Sequence, residues 1–150
     1  MKYWLMKTEP AEFSIEDLKL VESESWTGVR NYQARNFMRD DMGLGDQVLI
    51  YHSSCKLIGV AGIAKIAKTS YPDPTQFDKN SKYYDPKATF ENPRWFLVDV
   101  AWIKTFREII TLKEIKSLKS LSEMHLVKKG SRLSIQPVSK DEFNIIKNWN

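Results

Sequence analysis

A chain of 150 residues with 42% apolar, 28% charged and 12% aromatic side chains fits one globular domain able to bury its own core. No apolar run reaches the roughly 18 residues of a membrane span, MKYWLMKTEP is too short and interrupted for a signal peptide, and the single Cys55 excludes an internal disulfide or a cysteine-built zinc site. The net charge of +4 is uneven, with six basic and nine acidic residues over 1–50 against ten and five over 101–150, which suits a solvated lysine face or contact with phosphates.

The expected compartment is therefore the cytosol, or the nucleus in a eukaryote. Residues 2–7, KYWLMK, read as a short strand bounded by Pro10. Ser14 with Asp17 is a capping box for a helix through about Leu20, and Glu22–Ser25 reads as a solvated loop. Residues 26–39, WTGVRNYQARNFMR, are too polar for core and too aromatic for an ordinary loop. Trp26 and Gly28 mark a turn, and Asn31 is placed to cap a helix ending near Met42 and Gly43. Tyr32, Arg35 and Arg39 share one stripe of that helix.

Strands are expected over 46–52 and 57–68, with Gly59 and Gly62 marking a bulge or a close backbone approach. Residues 69–93 hold four of the six prolines interleaved with Tyr71, Phe77, Tyr83 and Tyr84, and read as a long ordered excursion. A strand over 94–107 follows, then a helix from the Thr111/Glu114 capping box to Leu118. A short helix over 121–127, a strand over 131–138 stopped by Pro137, and a last helix capped by Ser139 and Glu142 complete the chain. Five or six strands with few crossovers predict an α+β fold built on a small, mostly antiparallel barrel flanked by helices.

Catalytic signatures are missing: no phosphate-binding GxxxxGK[ST], no GxSxG, no HExxH. His52 and His125 are far apart in sequence, and the Asp-Pro steps at Asp73 and Asp85 explain those acids as turn formers. No enzyme, metal or cofactor is predicted. What remains is recognition of a flat polar ligand. A nucleobase out of its stack needs aromatic planes and a few hydrogen-bonding groups at its edge. Trp26, Trp95, Tyr71 and Tyr51 are candidate planes, Asn31, His52 and Ser53 candidate edge readers, and Arg30 and Arg132 candidate phosphate ligands.

The segments YWLMKTEP at 3–10, WTGVRNYQARNFMR at 26–39, GDQVLIYHSS at 45–54, YPDPTQFD at 71–78, YYDPKATFENPRWFLVDV at 83–100 and GSRLSIQPV at 130–138 resemble the EVE domain family in order over nearly the whole chain. Phe143 and Ile50 depart from its commoner Trp and Phe, as core substitutions. The resemblance implies a single domain over 1–150 with a PUA-like barrel, similar to the YTH domains that hold N6-methyladenine of RNA. It implies a reader of a modified base in DNA or RNA. Trp26 would be a cage wall, Val29 part of the lining, Asn31 an edge reader, His52 and Ser53 the pocket floor, and Trp95 a second aromatic. Ser131 and Arg132, with Lys128 and Arg30, would meet the nucleic-acid backbone. Leu133 stands where YTH domains carry an acidic residue, so methyladenine preference does not transfer and a modified cytosine is an equal candidate.

Overall fold

The computed structural model describes residues 1–130 and 132–149. Among the described residues, six strands form one sheet in the order β2-β5-β4-β3-β1-β6. They are β1 (Tyr3–Thr8), β2 (Ser23–Ser25), β3 (Gln47–His52), β4 (Gly59–Pro72), β5 (Phe96–Thr111) and β6 (Ile135–Val138). Among the pairings of the described residues, β1 and β3 run parallel, with Tyr3 opposite Gln47 and Thr8 opposite His52, and the other four are antiparallel.

β1 and β3 are apolar without alternation because both faces of the sheet are covered. Trp4, Met6, Val48 and Ile50 point to one face, where they meet Ile15, Leu18, Ala34 and Met38. Leu5, Leu49 and Tyr51 point to the other, against Ile115, Leu121, Phe143 and Ile146. Ile50 and Phe143 are each 1% exposed, so the two departures from the family pattern are core positions.

The first face is packed by α1 (Ile15–Val21) and α2 (Tyr32–Asn36), the second by α3 (Leu112–Ser117) and α4 (Lys140–Lys147). All four helices start at a side-chain cap. Ser14/Asp17, Thr111/Glu114 and Ser139/Glu142 close reciprocal capping boxes, and Asn31 accepts from the Ala34 N–H. α2 continues into one wider turn over Phe37–Asp41, closed by the Met42 N–H to the Phe37 carbonyl.

Several boundaries differ from expectation. Glu22–Ser25 is not wholly loop: Ser23–Ser25 pairs with Asp99–Ala101, and the ladder continues from the Trp26 N–H to the Val98 carbonyl. β4 runs on to Pro72, so the excursion begins only at residue 73. Two single 3₁₀ turns, Lys119–Leu121 and His125–Val127, replace the helix expected over 121–127. Gly62 marks the expected close approach: a Cβ there would lie 2.3 Å from the Lys104 carbonyl, beside a register shift in the ladder.

The expected barrel is not closed. β2 and β6 lie at opposite edges of the sheet and do not pair with one another. β2 is three residues long, and β6 carries Pro137, which has no N–H to give a further strand. The α+β class holds, as an open, mostly antiparallel sheet with helices on both faces. No helix of the described residues is long and apolar enough to cross a membrane.

Candidate functional site

The carboxyl ends of the parallel strands β1 and β3 reach the same edge of the molecule, at Thr8 and His52. The approach to β6 arrives beside them, since the Lys7 N–H donates to the Ser134 carbonyl at 2.8 Å. Beyond this edge the chain departs into separate loops, leaving a cavity of about 590 Å³. Crevices outside the carboxyl ends of parallel strands are a recurrent ligand position. Lys7, Thr8, Ser53 and Ser134 line its base, and Trp26, Val29 and Tyr83 line its walls.

Trp26 is half-buried and meets Phe13 edge-to-face, with ring centroids 6.2 Å apart and planes at 87°. This contact fixes the indole from one side. Gly28 has a φ of +85°, and a Cβ there would lie 2.6 Å from the Tyr83 ring. Glycine is thus required twice over, for the left-handed backbone and for the ring lying against it. Its N–H donates to Asp73 Oδ2 at 2.8 Å.

Arg30 lines the cavity, yet its guanidinium is fully committed inside the protein. Nε donates to the Tyr83 carbonyl, Nη1 to the Val29 carbonyl and Asp73 Oδ2, and Nη2 to Thr75 Oγ1 and the Tyr83 carbonyl. That accounts for all five N–H donors of an arginine. The group also lies over the Tyr83 and Trp95 rings, at 5.4 and 5.2 Å. The expectation of a phosphate ligand is corrected here: Arg30 braces the 26–31 loop against the 73–95 excursion.

Three further expectations change for similar reasons. Asn31 is exposed, lies outside the cavity lining, and accepts the Ala34 N–H at 3.0 Å as the α2 cap, which leaves its amide N–H donors directed outside the cavity lining. His52 is 6% exposed, and its Nε2 accepts the Ile15 N–H at 3.1 Å, starting α1 rather than flooring a pocket. Burial pushes its pKa below the ordinary histidine value, against the charge of Glu16, which keeps the ring a neutral acceptor. Trp95 is buried, stacks on Tyr32 at 4.8 Å and donates from Nε1 to Asp85 at 2.8 Å, away from the cavity.

Among the other expected aromatic planes, Tyr51 is buried and its phenol is pushed up to about 12 by burial, while the Tyr71 hydroxyl bonds Asp99 and Ser25. Lys128 is exposed outside the cavity lining and pairs with Glu123 at 3.5 Å. Ser131 lies outside the described residues. The structure therefore brings together Trp26, Val29, Arg30, Ser53 and Arg132 at one cavity, and leaves Asn31, His52, Trp95 and Lys128 away from it.

Sequence reasoning missed Lys7, Phe13, Glu24 and Tyr83, all of which line the cavity. Burial holds the pKa of Lys7 below the ordinary lysine value, and its Nζ lies 5.7 Å from the Tyr51 ring centroid. An arriving anion would favour its charged form. Among the described residues no group of three or more His, Cys, Asp or Glu is placed to hold a metal ion. The arrangement offers an aromatic corner, polar groups at its base, and the cations Lys7 and Arg132.

The protein-family model described as the EVE domain matches residues 2–149. Human thymocyte nuclear protein 1 is 44% identical over 163 residues, spanning 96% of this chain and 72% of the relative. A crystal structure of a Pseudomonas syringae protein superposes with a TM-score of 0.94 at 48% identity, covering 98% of both chains. The crystal structure of human THYN1 protein in complex with 5-methylcytosine containing DNA gives a TM-score of 0.90 at 44% identity, over 97% of this chain and 95% of that one.

Proposed function

This chain belongs to the EVE domain family, and on that premise we propose that it reads a modified nucleobase, foremost 5-methylcytosine in DNA, by taking the base into the cavity beyond β1 and β3. The observation that carries the proposal is the aromatic corner of Trp26 and Phe13, open to a cavity of about 590 Å³, in a fold shared with a relative solved on 5-methylcytosine containing DNA.

The base stacks on Trp26, a contact worth roughly 1–3 kcal/mol. At the strand ends the Thr8 hydroxyl donates to the Phe13 carbonyl at 2.7 Å and the Ser53 hydroxyl to the Thr8 carbonyl at 3.5 Å, so both offer the edge an accepting oxygen. Lys7 and Arg132 meet the flanking phosphates. The added methyl contributes on the order of 1 kcal/mol by apolar contact, so selectivity over the plain base is modest unless a polar group is read as well.

The role is binding without turnover. The groups a catalyst would use are held in structural bonds: His52 by Ile15, Asp73 by Gly28, Arg30 and Thr75, and Asp85 by Trp95 and Lys87. The PUA-like ancestry implied by the sequence remains part of this reading, with the barrel opened into a sheet.

The test is a tryptophan-fluorescence titration with oligonucleotides carrying cytosine, 5-methylcytosine, 5-hydroxymethylcytosine or N6-methyladenine, as DNA and RNA, single- and double-stranded, at fixed salt. Saturable quenching that is tightest for one modified base, and lost in a folded Trp26→Ala variant, is the expected result. Affinity that ignores the modification and tracks only salt would replace the reader with a general nucleic-acid binder.

A further inference from the structure

Glu24 occupies the middle of β2 and lines the cavity. It precedes Trp26 by two positions on a chain that stays extended, because the ladder to β5 runs from Ser23–Ala101 through Glu24–Val100 to the Trp26 N–H on Val98. Side chains two apart on a strand share a face. The carboxylate and the indole are thus projected to the same side of one rigid backbone.

The cavity has two other carboxylates, and neither is equivalent. Glu12 is ion-paired with Lys82 at 3.4 Å, and Glu9 is exposed in the loop after β1. Glu24 is half-buried, and while its backbone is held in the ladder to β5, its carboxylate makes no hydrogen bond or ion pair among the described residues. An ionised carboxylate only accepts hydrogen bonds. Set beside an aromatic wall, it matches an exocyclic amine at a base edge and repels a carbonyl there.

We propose that Glu24 is the specificity-determining residue of this cavity, selecting an amino-bearing base over its oxo counterpart: 5-methylcytosine over thymine, cytosine over uracil. The proposal rests on the base-reading function above and adds to it the group that reads position 4 of the pyrimidine. Thymine carries the same 5-methyl group as 5-methylcytosine, so apolar contact and stacking on Trp26 do not tell them apart. The difference lies in one N–H donor replaced by one oxygen. The competing structural role is that of an inward-pointing charge that protects the short edge strand from pairing with another chain.

The experiment compares oligonucleotides identical except for 5-methylcytosine or thymine at one position, single-stranded and paired opposite guanine. Opposite guanine the thymine is mispaired and unpairs more easily, so a preference for 5-methylcytosine there runs against the unpairing energy. The wild-type protein is expected to favour 5-methylcytosine by tenfold or more, about 1.4 kcal/mol. Glu24→Gln, whose amide presents either an acceptor or a donor, should bring the ratio to within threefold with unchanged melting temperature. Glu24→Asp, which keeps the charge but retracts it by one methylene, should fall between the two.

A wild type that binds both oligonucleotides with a ratio unaltered by either variant overturns the role of Glu24 and leaves the reader intact. A wild type that binds neither in either strand form overturns both.

Discussion

Two clusters of arginine and aromatic side chains flank the loop over 26–31, and from composition they look alike. One is the cavity end, with Trp26, Phe13, Tyr83, Lys7 and Arg132. The other is the brace, where Arg30 and Arg35 lie over Trp95 and Tyr32, with Asp73 paired to Arg30 and Asp85 to Arg94. In the brace the polar groups are turned on one another: Arg30 spends five donors internally, and Arg35 donates to the Arg94 carbonyl at 2.7 Å. At the cavity a carboxylate and an indole face open space. Hydrogen-bond accounting, rather than residue type, separates the part that holds the fold from the part available to a ligand.

The largest effect expected from this contrast is in the brace. Asp73 is fully buried and accepts from the Gly28 N–H, Arg30, the Thr75 N–H and the Thr75 hydroxyl. Asp73→Ala leaves a guanidinium and two amides without their acceptor and should cost about 3–5 kcal/mol, read as a drop in the urea midpoint. A variant that stayed within about 1 kcal/mol of the wild type would mean that water replaces the carboxylate and that the brace is not structural.

Next comes the pair of indoles. Trp26→Ala should weaken binding of the modified oligonucleotide by about 5- to 150-fold, the equivalent of one stacked base. Trp95→Phe removes the bond from Nε1 to Asp85, which is expected to lower stability by about 1.5–3 kcal/mol with affinity unchanged. Equal binding losses in the two variants, after correction for unfolded protein, would erase the distinction between cavity and brace.

That distinction was only partly legible in the sequence, for reasons that lie in how far apart the partners are. The helix starts could be read because a cap and its amide are three residues apart, as in Ser14 with Asp17. β1 and β3 could be read from their apolar runs. Four of the five hydrogen bonds of Arg30 go to partners 43 to 53 residues along the chain, and the partner of His52 lies 37 away. No local pattern announces such bonds, so both residues looked free for a ligand. Asn31 was a different case. Its role as a cap was visible, and the structure keeps it there, accepting the Ala34 amide outside the cavity lining. Lys7 and Glu24 were missed because each reads as an ordinary strand or loop charge until the parallel pairing of β1 with β3 and the pairing of β2 with β5 place them at one cavity. Barrel closure was beyond the sequence altogether, since it depends on whether two edge strands meet.

His52 offers a smaller, pH-dependent test on the structural side. Its folded pKa is lowered by burial, so the folded protein binds fewer protons than the unfolded chain. The stability it contributes is complete above the ordinary value of 6.5 and is lost as pH falls below it. The urea midpoint should therefore fall between pH 7.5 and 5.5 more steeply for the wild type than for His52→Gln, whose side chain does not titrate. A steeper fall in the variant would contradict the neutral acceptor on the Ile15 amide.

The finest discrimination concerns two cations four residues apart. Arg132 is exposed and lines the cavity; Lys128 lies outside it, paired with Glu123. If the backbone of a bound duplex passes the cavity mouth, Arg132→Ala removes one phosphate contact. The slope of log affinity against log salt should then become shallower by about 0.9, uniformly across sequences, because a phosphate carries no base identity. Lys128→Ala should leave the slope unchanged and alter stability by less than about 0.5 kcal/mol, as exposed pairs do. The reverse result would route the backbone over the turns at 119–130 rather than past Lys7 and Arg132.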